Sequence, residues 1–426
     1  MTETTDRTPF AAWLREHVTP LDTIDPEAPL DDLEPLRELI GGARVVAVGE
    51  NSHFIEEFAA MRRRILRFLV ERCGFTVLAF EYGFSEGFAL DAWAQGGGAE
   101  EDLGELLAGS IPVGVAEPLR WVRQFNRDAG RPVRFAGIDV PAAGGSLLPV
   151  LAPVADHLRK ADPEVLPLIE RAMRIAESFA GPSAAAAAPR WARLETAEQD
   201  ALTALLSRLL VRCRSLSPLH TTAAEAHDHA VAVRRLEVAC HADYSFRAMA
   251  DLFAGRGLSG DTSARDRSMA DSLLWHLERS GPDARVVLAA HNAHIVKSPI
   301  SFDGHLTGLP LGQHLHEALG EDYFALGLTG VDGRTADMLP DEDAPFGFTV
   351  TDAPLGPPEP DSIEAAFADA GTGPGLAGLR RARPLGGLAR PDRTRLQSAY
   401  LQVPVLDAFD AVLNTGTSTV AAEALQ

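Results

Sequence analysis

Arg44-Val45-Val46-Ala47-Val48-Gly49-Glu50-Asn51-Ser52-His53 is the stretch that decides the fold. Residues 44–48 form a short, almost wholly apolar run, the pattern of a strand buried on both faces. Residues 54–72 then bring Phe58, Met61, Ile65 and Leu69 round at helical spacing, which gives one apolar face. The unit recurs along the chain. Strand 76–80 precedes helix 84–95, which ends at Gly96-Gly97-Gly98, and helix 118–126 leads into strand 133–138. Later, helix 268–279, strand 286–290, helix 311–319 and strand 323–328 repeat it. This alternation predicts an α/β fold with a central, mostly parallel sheet flanked by helices.

Residues 150–260 break the rhythm. They hold no strand pattern, only Leu-, Ala- and Arg-rich helical stretches such as 165–178 and 197–214. The expected organisation is therefore an N-terminal half of the α/β core in 1–149, a large all-helical insertion in 150–260, and the second half of the core in 261–426. The insertion leaves the sheet after Asp139 and returns before His291, which suits a cover over the strand edge. Residues 184–188 are low in complexity and read as loop or helix-edge filler. Beyond Thr329 the chain is rich in Gly, Pro and Asp until two late strands, 399–406 and 408–414.

Composition narrows the function classes. The 426 residues are 46% hydrophobic and 23% charged, as in ordinary globular proteins. A net charge of −21 repels phosphate backbones, so nucleic acid is not an expected partner. Residues 1–10 lack the basic and apolar regions of a secretory signal, and no apolar run approaches a membrane span. Cys73, Cys213 and Cys240 are scattered and odd in number, which fits a reducing cytoplasm. Lysine occurs only at Lys160 and Lys297.

Chemistry-bearing side chains gather at the C-terminal ends of the strands. The first strand is followed by Glu50 and His53, the second by Glu81, the third by Asp139 and the fourth by His291 and His294. Ligands bind at that edge in open α/β sheets. Each residue alone also has a plainer role. Glu50 and His53 suit a helix cap, Glu81 a loop hydrogen bond, Asp139 a turn before Pro141, and the two histidines a buried structural pair. As a set they offer either acid–base groups for hydrolysis or metal ligands. Arg265-Asp266-Arg267 opens a helix, either as its cap or as a substrate contact. His220, His227, His229 and His241 fall in the helical segment and read as structural. Gly41-Gly42 precede a strand and make no dinucleotide fingerprint, and neither Gly-x-Ser-x-Gly nor His-Glu-x-x-His is present.

The runs Gly49-Glu50-Asn51-Ser52-His53-Phe54-Ile55, Phe80-Glu81-Tyr82-Gly83-Phe84-Ser85-Glu86-Gly87, Gly137-Ile138-Asp139-Val140-Pro141 and Ala290-His291-Asn292-Ala293-His294-Ile295 resemble the erythromycin esterases, most of all the type II enzymes. Met269 to Leu277 and Leu309 to Gln313 strengthen the likeness, which runs from about Trp13 to the last strand. The resemblance implies hydrolysis of a macrolide lactone by an activated water, without a covalent acyl-enzyme. It maps the general base onto His53, the supporting carboxylates onto Glu50 and Glu81, an arginine onto Arg62, and further histidines onto His291 and His294. Glu86 and Asp139 are expected to contact substrate. No metal or cofactor is expected, and the partners are a macrolide and water. Ser268 stands where the family carries an aromatic residue, and arginines replace its lysines beside Asp266. Those departures bear on the choice of substrate. The competing readings are another ester or lactone hydrolase or transacylase of natural-product metabolism, a metal-dependent hydrolase, and a macrolide-binding protein without catalysis.

Overall fold

The computed structural model describes residues 9–111, 114–302 and 305–425; residues 1–8 of the polar start lie outside them. A central sheet holds eight strands, numbered here in chain order: β1 (Val18–Pro20), β2 (Val45–Val48), β3 (Val77–Gly83), β4 (Arg134–Asp139), β5 (Val286–Ala289), β6 (Tyr323–Thr329), β7 (Gly375–Gly378) and β8 (Ala411–Asn414). Their spatial order is β1-β7-β8-β6-β2-β5-β3-β4. The pairings from β8 through to β4 are all parallel, and only those of β7 with β8 and β1 are antiparallel.

Both sheet faces are covered, which is why the strands read as unbroken apolar runs. Alternate residues serve opposite cores. Val46, Val48, Leu78 and Phe80 join the cluster under the helix Glu56–Cys73, where Phe58, Met61, Ile65 and Leu69 are buried. Val45, Ala47, Val77 and Ala79 join the cluster that includes Met269, Leu273, Leu311 and Leu315, from the helices Ser263–Arg279 and Leu311–Leu319. A third cluster, with Leu151, Ile169, Phe179, Leu206, Leu236 and Phe246, belongs to the helical segment. Between residues 150 and 260 every regular element is helical, from Leu148–Ala161 to the long helix Ala223–Phe253.

The structure corrects several expectations. The late strand 399–406 stops at Gln402, because Pro404 has no N–H to donate and opens the short helix Val405–Ala408. Its successor starts at Ala411 instead of 408. Of the two readings of residues 184–188, loop or helix edge, the structure has the second: they begin the helix Ala184–Trp191, capped by Ser183, whose Oγ accepts the Ala186 N–H at 3.2 Å. The Gly-, Pro- and Asp-rich stretch after Thr329 contains a hairpin, Asp332–Pro340 with Phe348–Pro354, and the helix Ile363–Ala370. That hairpin has few fully buried positions, so it never needed the apolar alternation by which a strand is recognised.

One buried ion cluster pins the β8 side of the sheet. Asp410 Oδ1 receives Lys297 Nζ at 2.5 Å, Arg380 Nε at 2.8 Å and Arg383 Nη2 at 2.9 Å, and its Oδ2 accepts the Ala325 N–H at 2.9 Å. Burial opposes ionisation of Asp410, but the three cations and the amide outweigh it and hold its carboxyl at about 2. Its contribution to stability is therefore present above the ordinary carboxyl range and fades as pH falls toward that value. Asp410→Asn would leave Lys297 buried without its counter-ion. Urea unfolding at neutral pH is expected to show a loss of about 3–5 kcal/mol, and a loss well under 1 kcal/mol would contradict this account.

Candidate active site

Strand register brings the site together. Val48 on β2 pairs with Ala289 on β5, Ala289 with Phe80 on β3, and Phe80 with Gly137 on β4. One or two residues past that shared level stand Glu50, His291, Glu81 and Asp139. The four strands that carry them are contiguous in the sheet, in the order β2-β5-β3-β4. Glu81 and Asp139 lie within their strands and not beyond them, since β3 continues to Gly83 through a register shift after Phe80.

Glu50 is the junction on the β2 side. Its Oε1 lies 2.7 Å from His53 Nδ1 and its Oε2 2.7 Å from Arg62 Nη1. Burial works against its charge, yet Arg62 and His53 hold the carboxyl at about 2. His53 moves the other way. Burial disfavours its cation, but Glu50 and then Glu81 outweigh that and raise its pKa above the ordinary imidazole value. Because a carboxylate accepts at Nδ1, that nitrogen carries the proton of the neutral ring and Nε2 is left as the free base.

Glu81 is the second junction. Its Oε1 lies 3.1 Å from Arg265 Nη2 and 3.4 Å from His294 Nε2, and its Oε2 accepts the His291 N–H at 2.9 Å. Against the penalty of burial, His294 and Arg265 keep Glu81 well below the usual carboxylate range. Arg265 also clasps Asp139, at 2.9 and 2.6 Å. His294 sits between Glu81 and Asp266, with Nδ1 2.7 Å from Asp266 Oδ1; despite burial, Asp266 and Glu81 raise it to about 10. His294 is therefore a cation at neutral pH. His291 is its opposite. It caps the short helix Asn292–Ile295 by accepting the Ala293 N–H at Nδ1, 3.1 Å away, and burial with His53 nearby lowers it to about 3. The His291 ring packs edge-on to that of His53, with centroids 5.1 Å apart.

A cavity of about 300 Å³ opens over these groups, lined by Glu50, His53, Arg62, Glu81, Glu86, Asp139 and Arg265. His291 and His294 stand one layer behind. Two buried polar atoms of the lining have no partner among the described residues, Arg62 Nη2 and Glu86 Oε2. The other Glu86 oxygen accepts the Ala142 N–H at 2.8 Å, and burial pushes the Glu86 carboxyl up. Asp139 touches the cavity with both oxygens already engaged, by Arg265 and by the Val140 N–H at 2.7 Å. Residues 182–185 and Met249 of the helical segment form another wall, with Met338 and Phe348 of the hairpin. Ala185, Met338 and Phe348 are shared with an outer cavity of about 660 Å³.

Backbone features aim His53. Phe54, directly after it, adopts φ +62°, a left-handed conformation that costs a bulky side chain energy and persists only where neighbours hold it. The C-terminal segment does so. The Ala421 N–H donates to Phe54 O at 2.8 Å, and the Glu56 N–H to Thr419 O at 3.0 Å. Gly49 is required for a different reason, since a Cβ there would lie 2.0 Å from Asn292 Oδ1. That close approach lets Asn292 N–H reach Glu50 O at 2.8 Å and tie the β2 loop to the β5 loop.

Every residue proposed from sequence falls at this edge. Arg265 and Asp266, left between a cap and a substrate contact, turn out to be partners of the carboxylates and of His294. The role of the C-terminal segment left no trace in the sequence pattern. Labelling the histidines with ¹⁵N should show both His294 ring nitrogens protonated at neutral pH, with Asp266→Asn moving its titration down toward the ordinary imidazole range. A neutral His294 ring in the unaltered protein would contradict the arrangement.

A profile of the erythromycin esterase family matches residues 70–417. Erythromycin esterase type II of Escherichia coli is 37% identical over 96% of this chain and 98% of its own length. Erythromycin esterase type I of the same species is 32% identical, over 90% and 93%. Among solved structures, a mutant of the erythromycin esterase EreC in its open conformation superposes with a TM-score of 0.84 at 29% identity, covering 94% of this chain and 98% of that one. Identity, coverage and architecture agree along nearly the whole length, and the chain belongs to the erythromycin esterase family.

Proposed function

We propose that this chain hydrolyses the lactone ester of 14-membered macrolides such as erythromycin, with a water activated by His53, and thereby confers macrolide resistance. Family membership supports the substrate class. The observation that carries the chemistry is the Glu50–His53 pair at 2.7 Å, in a cavity that Arg62 also lines.

His53 Nε2 takes a proton from water while the water oxygen attacks the lactone carbonyl. The carbonyl electron pair becomes an oxyanion, which the positive charge of Arg62 stabilises. Collapse breaks the ring C–O bond, and the proton held by His53 passes to the leaving alkoxide. One water is consumed, and a ring-opened hydroxy acid results. Glu50 fixes the tautomer and steadies the imidazolium formed midway. Glu81 adds negative potential, and is itself kept ionised by His294 and Arg265. Neutral His291 supports the face of the His53 ring, and Asp139 acts through Arg265. Glu86, which lines the cavity, contacts the substrate.

The helical segment 150–260 serves as a cover and sets specificity, which its contribution of residues 182–185 and Met249 to the cavity wall supports. The outer cavity, walled largely by Ala, Pro, Met and Phe, suits the apolar bulk of a macrolide, while the inner one takes the ester edge. A net charge of −21 argues against a nucleic-acid partner. Among the described residues no helix is long and apolar enough to cross a membrane, which is compatible with a cytoplasmic location.

His53→Asn is expected to fold and to lose roughly two to four orders of magnitude in erythromycin turnover, followed by mass spectrometry of the ring-opened product. Near-normal turnover would remove His53 from its role, and Glu81→Gln should be comparably impaired. Full activity is expected to persist after treatment with a strong chelator, because the Glu50, His53, Glu81 and His294 donors serve one another. Activity lost and restored by one divalent ion would move the chemistry to a metal.

A further inference from the structure

Three histidines read from sequence as structural, or passed over, meet in the helical segment. His157 lies on the helix Leu148–Ala161, His229 on the helix Ala223–Phe253, and His220 on the connection just before that helix. One ring nitrogen from each lies within 4.8 Å of the other two. His157 and His220 are half-buried and His229 is buried. None of them lines the cavity over the sheet edge.

Their hydrogen bonds prepare donor atoms. His229 Nε2 lies 2.9 Å from the Cys213 carbonyl oxygen, which can only accept, so Nε2 carries the proton and Nδ1 presents a lone pair. This arrangement, a ring N–H anchored on a carbonyl behind a free nitrogen, is how ligating histidines are oriented. That Nδ1 faces His157 Nε2 at 3.1 Å. Two nitrogens on one tetrahedral ion at roughly 2.0–2.1 Å stand about 3.3 Å apart, so the pair already has the separation required and only the rings have to turn. His220 stacks on His229 with centroids 3.9 Å apart, bringing the third imidazole alongside.

We propose that His157, His220 and His229 form a binding site for one borderline divalent transition ion of the zinc, nickel and copper class, separate from the catalytic cavity. Three imidazoles suit such ions and not magnesium or calcium, which favour oxygen ligands. The half-exposed side leaves the remaining coordination position to water. In the metal-free protein one of the facing nitrogens, His157 Nε2, donates to His229 Nδ1. On binding, that proton shifts to His157 Nδ1 by way of solvent, and Nε2 turns to the ion. The ion would staple the helix Leu148–Ala161 to the start of the helix Ala223–Phe253, and so stiffen the segment that covers the site.

The test is calorimetric titration of the chelator-treated full chain with Zn²⁺, beside His220→Gln, His157→Gln and His53→Asn. His220→Gln is the mild variant, since it removes a half-buried ring and no buried hydrogen bond. One equivalent is expected to bind, with Tm rising by roughly 3 °C or more at saturating zinc. His220→Gln and His157→Gln should each weaken binding at least about tenfold, while His53→Asn binds normally. Failure of the unaltered chain to bind zinc would overturn the proposal, as would binding lost in His53→Asn but kept in both helical-segment variants.

Discussion

The structure depends on compensating charge at a place where water has been removed. Glu50 is buried and Glu81 largely so at one edge of the sheet, and each stays ionised only because cations are held against it: Arg62 and His53 on one, Arg265 and His294 on the other. A buried carboxylate without such partners would take up a proton. The partners come from distant stretches, so the network forms only when the fold is complete. Asp266 and Asp139, which fix His294 and Arg265, extend the same requirement to a further helix and strand.

That network divides the histidines into three states. His294 lies between two carboxylates and is a cation; His291 accepts an amide proton beside another imidazole and is neutral; His53 lies between them in environment, raised but still able to lose its proton. A hydrolytic base must cycle between both forms near neutral pH. Among these three only His53 lines the cavity, and Arg62 lines it as well. The same arrangement explains why the sheet order matters. Placing β5 between β2 and β3 sets the His291 amide against Glu81 and the His291 ring against His53.

Much of this was legible in the sequence. Buried parallel strands have to be continuously apolar, so Val45–Val48 and Val286–Ala289 stood out, and the polar residues just beyond them marked the edge. The helix face Phe58, Met61, Ile65 and Leu69 was equally plain. The hairpin after Thr329 was not, because its strands are half-exposed and lack a burial period. Nor does any local pattern reveal that residues 419–421 clamp Phe54 in a left-handed turn, or that Asp266 would find His294, 28 positions away. Such long-range pairings are settled by topology. Asp139 shows the opposite case: its place at the edge was foreseen, but its oxygens are engaged by Arg265.

The central claim is that Glu50 tunes His53 into a free base whose pKa is raised by its carboxylate neighbours. The most direct measurement is an NMR titration of the His53 ring, in the unaltered protein and in Glu50→Gln. The account predicts a midpoint above the ordinary imidazole value of 6.5 in the first and a clear downward shift in the second. A midpoint at or below 6.5 that does not respond to Glu50→Gln would contradict it.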